Sequence, residues 1–479
     1  MSLPRYLEIN AWTGTEAARG ELADDAAKWG SRKRGLPHPQ AVLEFDPPAG
    51  TERWQDPKVG YGVLLPDRDD PGLSRAAKAA GADAAEPVRE LIAGRPGTVV
   101  LRWRPELGDR FLRRYYPDGD EDDPTIGLSQ FGVGRGRLPK YVVIIAGPDV
   151  IPWSVQYALG RRHAVGRLPL PEDALGHYLN ALLSQWRGAP ADARRALVWT
   201  VDHGASDITA DMRAVIAKPL AEALTPPPLS ELCHLTDARA TGRALVTELA
   251  KSRPGLVVTS SHGCTAPLNQ PTKMRAALGL PVDSRRAPVP LRDLVDAMPA
   301  GSVWYAQACC SAGGGGGSGG GGSSGGGGRS LYTGLLKPGT TAYGVVEKVA
   351  ALGPVVAPAA VEVLGRPNPA RAVFGHVEPT FSWTLRVAET GQGLGGDIVA
   401  ALTSNLYAGQ PLGLVFSAYR EGVGVLHDQW FDLYDRLAEG DTSVRETMTR
   451  LRLTALDRQS LVLLGDPTAA LPTLFGTRD

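Results

Sequence analysis

The stretch Gly255–Ser261 (GLVVTSS) is followed directly by His262. This short apolar run, bounded by glycine and rich in β-branched residues, predicts a buried strand of a parallel sheet. A second strand pattern, Ser302–Gln307 (SVWYAQ), leads through one alanine into Cys309 and Cys310. The carboxyl ends of parallel strands open onto the crevice where α/β proteins bind ligands. The sequence therefore predicts that an imidazole and a thiol meet at one edge of a sheet.

Similar short apolar runs alternate with amphipathic stretches along much of the chain, which is typical of βαβ units. The further predicted strands are Tyr61–Leu65, Thr98–Trp103, Tyr141–Ala146, Arg195–Val201 and Leu232–Leu235. The predicted helices are Asp173–Trp186, Ile208–Leu224, Thr241–Lys251 and Leu291–Met298. The pattern predicts an α/β fold with a mainly parallel sheet flanked by helices. We expect a smaller α/β subdomain at residues 1–190 and a larger domain at residues 191–479.

Composition narrows the classes of function. The 479 residues carry 51 basic and 51 acidic side chains, so no general attraction to nucleic acid or to membranes is expected. No run of 18 or more apolar residues occurs, and the N-terminal residues lack the pattern of a secretory signal. The four cysteines are too sparse for a disulfide framework. We therefore expect a soluble protein of a reducing compartment, the cytoplasm.

One segment differs in kind from the rest. Residues Gly313–Gly328 read GGGGGSGGGGSSGGGG, which is the composition of a flexible linker. We interpret it as an engineered replacement of a loop. Because the linker begins three residues after Cys310, we expect the replaced loop to border the site to which Cys310 belongs.

A histidine close to a cysteine is a combination that suits nucleophilic catalysis. A thiol attacks a carbonyl carbon as thiolate, and a nearby imidazole can remove its proton and later protonate the leaving amine. The spacing of 48 residues between His262 and Cys310 accommodates a helix and a return strand. The backbone N–H groups of Gly263 and Cys310 are candidate donors to the substrate oxyanion.

The motif around the cysteines resembles a known family. Residues 307–313 read QACCSAG, with His262 and Gly263 upstream, and this resembles the caspase-like (clan CD) cysteine peptidases, among them gingipain-type and CHAT peptidases of prokaryotes. Their cysteine is commonly followed by two residues and a glycine, which matches Cys310, whereas Cys309 matches only the Q-A-C lettering. Cys310 is therefore the predicted nucleophile and Cys309 the alternative. Other resembling segments are Val165–Pro169 (VGRLP), Gly375–Trp383 (GHVEPTFSW) and Leu463–Pro472 (LLGDPTAALP).

The resemblance implies a caspase-hemoglobinase-like fold and a cysteine endopeptidase that acts on protein substrates without a cofactor. It also implies a zymogen, activated when this enzyme, a relative or an upstream protease cuts the loop after the nucleophile, and a role in bacterial defence. In this family a pocket residue usually follows the first strand of the catalytic sheet. Asp202 and Asp207 stand there, which predicts cleavage after a basic residue, preferably Arg. Asp207 also suits the N-cap of a following helix.

Two alternatives remain open from the residues. Zinc ligands are present in His262, Cys264, Cys309 and Cys310, although adjacent cysteines are poor partners for one tetrahedral ion, and no metal is expected. A catalytically degenerate caspase-like scaffold or signalling protein is the non-enzymatic alternative, and the presence of both dyad residues argues against it.

Overall fold

A computed structural model of the protein describes residues 3–33, 36, 50–225, 229–315, 330–387 and 390–474. Most of the predicted linker, residues 316–328, lies outside these ranges. Within them, no helix combines the length and the apolar character needed to cross a membrane.

The strands are numbered in chain order. They are β1 (Tyr6–Trp12), β2 (Ala17–Glu21), β3 (Tyr61–Pro66), β4 (Val99–Trp103), β5 (Arg113–Tyr115), β6 (Glu121–Asp122), β7 (Tyr141–Ile144), β8 (Ala164–Arg167), β9 (Asp192–Thr200), β10 (Glu231–Leu235), β11 (Pro254–Ser260), β12 (Gly263–Cys264), β13 (Val303–Gln307), β14 (Gly313–Gly314), β15 (Val355–Val356), β16 (Ala372–His376) and β17 (Leu461–Leu464).

The helices follow the same convention. They are α1 (Ala26–Gly30), α2 (Arg75–Ala79), α3 (Glu86–Gly94), α4 (Trp153–Gly160), α5 (Glu172–Leu183), α6 (Ile208–Met212), α7 (Lys218–Ala223), α8 (Gly242–Ser252), α9 (Pro271–Ala277), α10 (Leu291–Ala297), α11 (Thr341–Ala351), α12 (Pro358–Gly365), α13 (Gly396–Ala400), α14 (Leu412–Val415), α15 (Ser417–Ala438) and α16 (Arg445–Gln459). The predicted helix at 208–224 is therefore observed as α6 and α7, joined by a π-helical turn at Arg213–Ala217.

One large sheet organises the described part of the chain, in the order β10-β9-β11-β13-β16-β17-β8-β7-β3-β4-β5-β6. Neighbouring strands are parallel except at β16–β17, β4–β5 and β5–β6. All residues of β11, β13, β16 and β17 are buried, as expected for strands covered on both faces. Helices α3, α5, α12, α10 and α8 contact one another in that order, and α16 packs against α1 and α15. The predicted class, α/β with a mainly parallel sheet flanked by helices, is confirmed.

The strands of the two predicted parts belong to this same sheet. Strand β17, from the C-terminal part, pairs with β8 through Leu464 and Arg167. The N-terminal strand β1, which the sequence pattern missed, pairs in parallel with β12 just after His262, with Ala11 opposite Gly263. The N-terminal residues thus lie at the sheet edge where the predicted site residues are found.

The first glycines of the predicted linker belong to the packed structure. Gly313 and Gly314 form β14, antiparallel to Val355 and Val356 of β15. Gly315 has φ +71°, a left-handed conformation that glycine adopts without penalty. Glycine therefore suits the start of the linker, because β14 packs closely and Gly315 has a left-handed backbone.

The close packing of β14 predicts an effect on stability. A Cβ atom at Gly313 would lie 2.2 Å from the Val355 carbonyl oxygen and 2.8 Å from the Trp153 ring. Gly313→Ala should lower the free energy of unfolding by about 1–3 kcal/mol, as measured by urea denaturation. In the matched control Gly396→Ala, a Cβ meets nothing within 4 Å, and stability should be unchanged or slightly raised. Equal stability of the two variants would contradict the packed role of Gly313.

Candidate active site

His262 lies two residues beyond the last paired residue of β11, where Ser260 stands opposite Gln307 of β13. The side chain is fully buried. Its backbone carbonyl accepts a hydrogen bond from Val282 N at 3.0 Å. The strand register therefore places this imidazole next to the end of the strand that leads to the cysteines.

Asp207 holds the His262 ring. His262 Nε2 lies 3.0 Å from each carboxylate oxygen of Asp207. The same carboxylate accepts hydrogen bonds from Thr209 N at 2.9 Å and Thr209 Oγ1 at 2.6 Å, so Asp207 is also the N-cap of α6. Burial acts to raise the pKa of Asp207, but the hydrogen bonds from His262 and Thr209 outweigh it and lower this pKa below its ordinary value. The prediction assigned Asp207 to substrate binding, whereas the structure places its charge against the histidine.

The other ring nitrogen of His262, Nδ1, does not face a carboxylate. His262 Nδ1 is buried and has no hydrogen-bond partner among the described residues. The ring stacks on His203, with centroids 5.4 Å apart and planes at 13°, and lies 6.3 Å from the Trp12 ring. Because Nε2 faces a carboxylate, the proton of the neutral ring belongs on Nε2, which leaves Nδ1 as the basic nitrogen.

Both cysteines lie in the turn after β13. Cys309 and Cys310 are buried, and their Sγ atoms are 3.3 Å apart. The hydrogen bond with Cys309 and burial raise the pKa of the Cys310 thiol well above its ordinary value, and the carboxylate of Glu378 acts in the same direction. In this conformation the Cys310 thiol is therefore protonated at neutral pH.

The backbone of Cys310 is unusual. Its φ of +58° lies in the left-handed region, which costs a non-glycine residue roughly 1–2 kcal/mol. The turn is fixed by Ser311, whose hydroxyl donates to the Ala306 carbonyl at 2.7 Å and accepts from His376 N at 3.0 Å. Strained residues of this kind cluster at functional sites, and this strain distinguishes Cys310 from Cys309.

The histidine and cysteine segments are in direct backbone contact. A Cβ atom at Gly263 would lie 2.0 Å from the Cys309 carbonyl oxygen, so only glycine fits after the histidine. No hydrogen bond joins the His262 ring to either thiol among the described residues. The structure thus brings the two strand ends together and pairs Asp207 with His262. It holds the thiol in a separate environment.

That environment is a small cavity beside the cysteine turn. It is bordered by both cysteines, Gly315, the buried side of α11, and Glu378 with Pro379. Glu378 is only 8% exposed and follows β16, the strand next to β13 in the sheet. Sequence reasoning missed this carboxylate, although an acidic residue just beyond a third parallel strand end was a usable signal.

Asp202, the other predicted substrate-binding residue, is engaged elsewhere. Its carboxylate accepts a hydrogen bond from Gly204 N at 2.8 Å and pairs with Arg213 at 3.1 Å. Arg213 also contacts Asp237 at 2.6 Å. The negative charge of Asp202 is therefore already balanced by a neighbouring cation.

Comparisons with known proteins give fold similarity alone. No family model matches the sequence, and no curated protein matches it. Similar solved structures include the Arg-specific cysteine proteinase gingipain R (RGPB), at 10% identity and a TM-score of 0.44, over 87% of this chain and 79% of that chain. The complex of the pro- and mature domains of RgpB from Porphyromonas gingivalis is also similar, at 10% identity and a TM-score of 0.42, over 86% and 80% of the two chains. At this identity residues cannot be equated between the chains.

The lowered pKa of Asp207 predicts a pH-dependent contribution to stability. A carboxyl group with a depressed folded-state pKa stabilises the fold above its unfolded pKa of about 3.9, and this contribution is lost as pH falls towards the folded value. Asp207→Asn should therefore cost about 1–3 kcal/mol at pH 7, and the difference from the parent should shrink below about pH 4. Urea denaturation at several pH values measures both quantities.

Asp202→Asn is the matched control, because its ion pair with Arg213 is partly exposed. Its cost should not exceed about 1 kcal/mol. A penalty for Asp207→Asn that stays constant from pH 7 to pH 3 would contradict the account of the buried Asp207–His262 pair.

Proposed function

We propose that the protein is a cysteine endopeptidase with Cys310 as nucleophile and His262 as general base. The observation that carries the proposal is the contact between the ends of β11 and β13, where the backbone of Gly263 lies against that of Cys309. Asp207 is a positioning residue, because it holds His262 Nε2–H and directs Nδ1 away from itself. The strained, left-handed backbone of Cys310 favours this residue over Cys309 as the nucleophile.

The reaction follows from these positions. Cys310 Sγ gives its proton to His262 Nδ1 and bonds to the carbonyl carbon of the scissile peptide. His262 then protonates the leaving amine as the C–N bond breaks, and a thioester remains on Cys310. Water, deprotonated by the same imidazole, releases the acid and restores the thiol. The backbone N–H groups of Gly263 and Cys310 are the proposed oxyanion donors.

We propose that this conformation is a latent state of the enzyme. The Cys310 thiol is hydrogen-bonded to Cys309 and borders the small cavity, so it has to turn towards His262 before it can be deprotonated. Gly315, the last described residue at the start of the linker, borders the same cavity. We propose that cleavage of the natural loop, by this enzyme or by an upstream protease, releases this end of the cavity and activates the peptidase. A role in bacterial defence is proposed from the family resemblance, and a cytoplasmic location from the scarcity of cysteines.

A basic residue before the scissile bond suits this site, with Glu378 as the carboxylate that receives it. Glu378 borders the cavity that contains Cys310 and is close enough to affect the pKa of its thiol. A buried carboxylate favours a bidentate guanidinium over an ammonium, so Arg is preferred to Lys.

The nucleophile is tested by two adjacent substitutions. Cys310→Ala should reduce peptide hydrolysis to the background rate while preserving the fold, since truncating a small buried side chain costs roughly 1–2 kcal/mol. Cys309→Ala should keep measurable hydrolysis. Because Cys309 raises the pKa of Cys310, this variant should also be alkylated by iodoacetamide at lower pH than the parent. Hydrolysis that survives in Cys310→Ala and disappears in Cys309→Ala would reverse the assignment, and no hydrolysis in any form would favour the degenerate scaffold.

The specificity is tested with fluorogenic peptides that differ only in the residue before the scissile bond. We expect kcat/KM to fall in the order Arg, Lys, uncharged residues, Asp. Glu378→Gln should lower kcat/KM for the Arg peptide at least about tenfold and leave uncharged peptides unchanged or faster. Asp202→Asn is the control and should keep the preference for Arg. A preference for Asp would contradict basic specificity, and loss of the Arg preference in Asp202→Asn would return that role to Asp202.

A further inference from the structure

A second set of ligand-bearing side chains surrounds the candidate base. His203, Asp207 and His262 offer nitrogen and oxygen atoms that all lie within 4.8 Å of one another. His262 is fully buried and Asp207 is 9% exposed. The two imidazole rings are nearly parallel. This set differs from the cysteine-containing zinc alternative considered from the sequence, because it includes no thiol.

The His203 ring is oriented as a ligand. Its Nε2–H donates to the backbone carbonyl of Asp283 at 3.0 Å, and its Nδ1 is buried without a hydrogen-bond partner among the described residues. The Asp283 segment is itself fixed, since its carboxylate accepts from Gly242 N and Arg285 N at 2.9 Å each. A carbonyl that holds one ring nitrogen and leaves the lone pair of the other available is the usual second partner of a metal-binding histidine.

The charge state also suits a cation. Imidazole binds metals in its neutral form, through the ring nitrogen that carries no proton. Asp207 is ionised, as argued above. Two imidazoles in this form and one carboxylate would give a donor set of net charge −1, and such His/His/carboxylate sets with an open fourth position bind Zn²⁺.

We propose that His203, Asp207 and His262 form a binding site for Zn²⁺, with water as the fourth ligand. Ligand atoms around tetrahedral zinc are roughly 3.3 Å apart, and His262 Nε2 is already 3.0 Å from Asp207. The adjustment falls on His203, whose partly exposed ring needs to approach by up to about 1.5 Å, because its ligand atom lies within 4.8 Å of the other two and tetrahedral zinc needs about 3.3 Å. The partly exposed side of His203 gives the ion its path from solvent.

Zinc at this site would inhibit the proposed peptidase, and this consequence rests on the proposed function. When His262 Nε2 binds the metal, the proton of the neutral ring moves from Nε2 to Nδ1. Nδ1 then has no lone pair to accept the Cys310 proton, and Asp207 binds the ion instead of the ring. The ring keeps its charge and its position but loses its role as base.

Binding is measured first, independently of activity. Co²⁺ serves as a spectroscopic probe of tetrahedral N/O coordination, and Zn²⁺ affinity is obtained by competition with a chromophoric chelator. We expect one ion per chain and a loss of affinity of at least tenfold in His203→Phe, which keeps an aromatic ring against His262. The matched control His177→Phe replaces an exposed histidine elsewhere and should bind as the parent does. Unchanged binding in His203→Phe, or binding that depends on Cys310 instead, would overturn the site.

Inhibition is measured next, relative to the metal-free rate of each form. Zn²⁺ should inhibit the parent and His177→Phe, the chelator EDTA should restore both, and His203→Phe should require at least tenfold more Zn²⁺. Binding at the site without inhibition would refute the proposed effect on His262. If the protein binds Zn²⁺ at this site but its metal-free form hydrolyses no peptide, the zinc site is upheld and the proposed function is contradicted.

Discussion

The parallel pairing of β11 with β13 is the constraint on which the site depends. It sets Ser260 opposite Gln307, so the residues that follow, a histidine on one strand and a cysteine pair on the other, emerge side by side. The backbones touch there, and the contact leaves no room for a side chain at Gly263. Burial of both strands on both faces makes the register costly to change, because a shift would move the whole set of apolar side chains.

Much of this arrangement could be predicted from the sequence. The runs GLVVTSS and SVWYAQ are continuous and apolar, so they indicate doubly covered strands. The amphipathic stretch at Leu291–Met298 predicts α10, the second of the two helices between these strands. The right-handed rule for parallel crossovers then places both strand ends at one edge. Local periodicity was sufficient because each of these elements is specified by its own residues.

The remaining features depend on contacts between distant segments. Strand β1 joins the site edge only because Ala11 pairs with Gly263, which no local pattern indicates. Asp207 has the local signature of an N-cap, and its second role requires knowing that His262 turns its Nε2 towards it. The pairing of Asp202 with Arg213 and the approach of Glu378 to Cys310 are likewise set by the tertiary fold.

The structure separates the two parts of the proposed catalytic dyad. The proposed base, His262, is already oriented by Asp207, while the thiol is held protonated by Cys309 and burial, so the proposed activation is a change at the cysteine turn alone. The most direct measurement is mass spectrometry of the protein after reaction with a peptidyl chloromethyl ketone ending in Arg. The account predicts one adduct, on Cys310, that is absent after His262→Ala and reduced after Asp207→Asn. An adduct on Cys309, or one on Cys310 that forms equally well without His262, would contradict the proposed dyad.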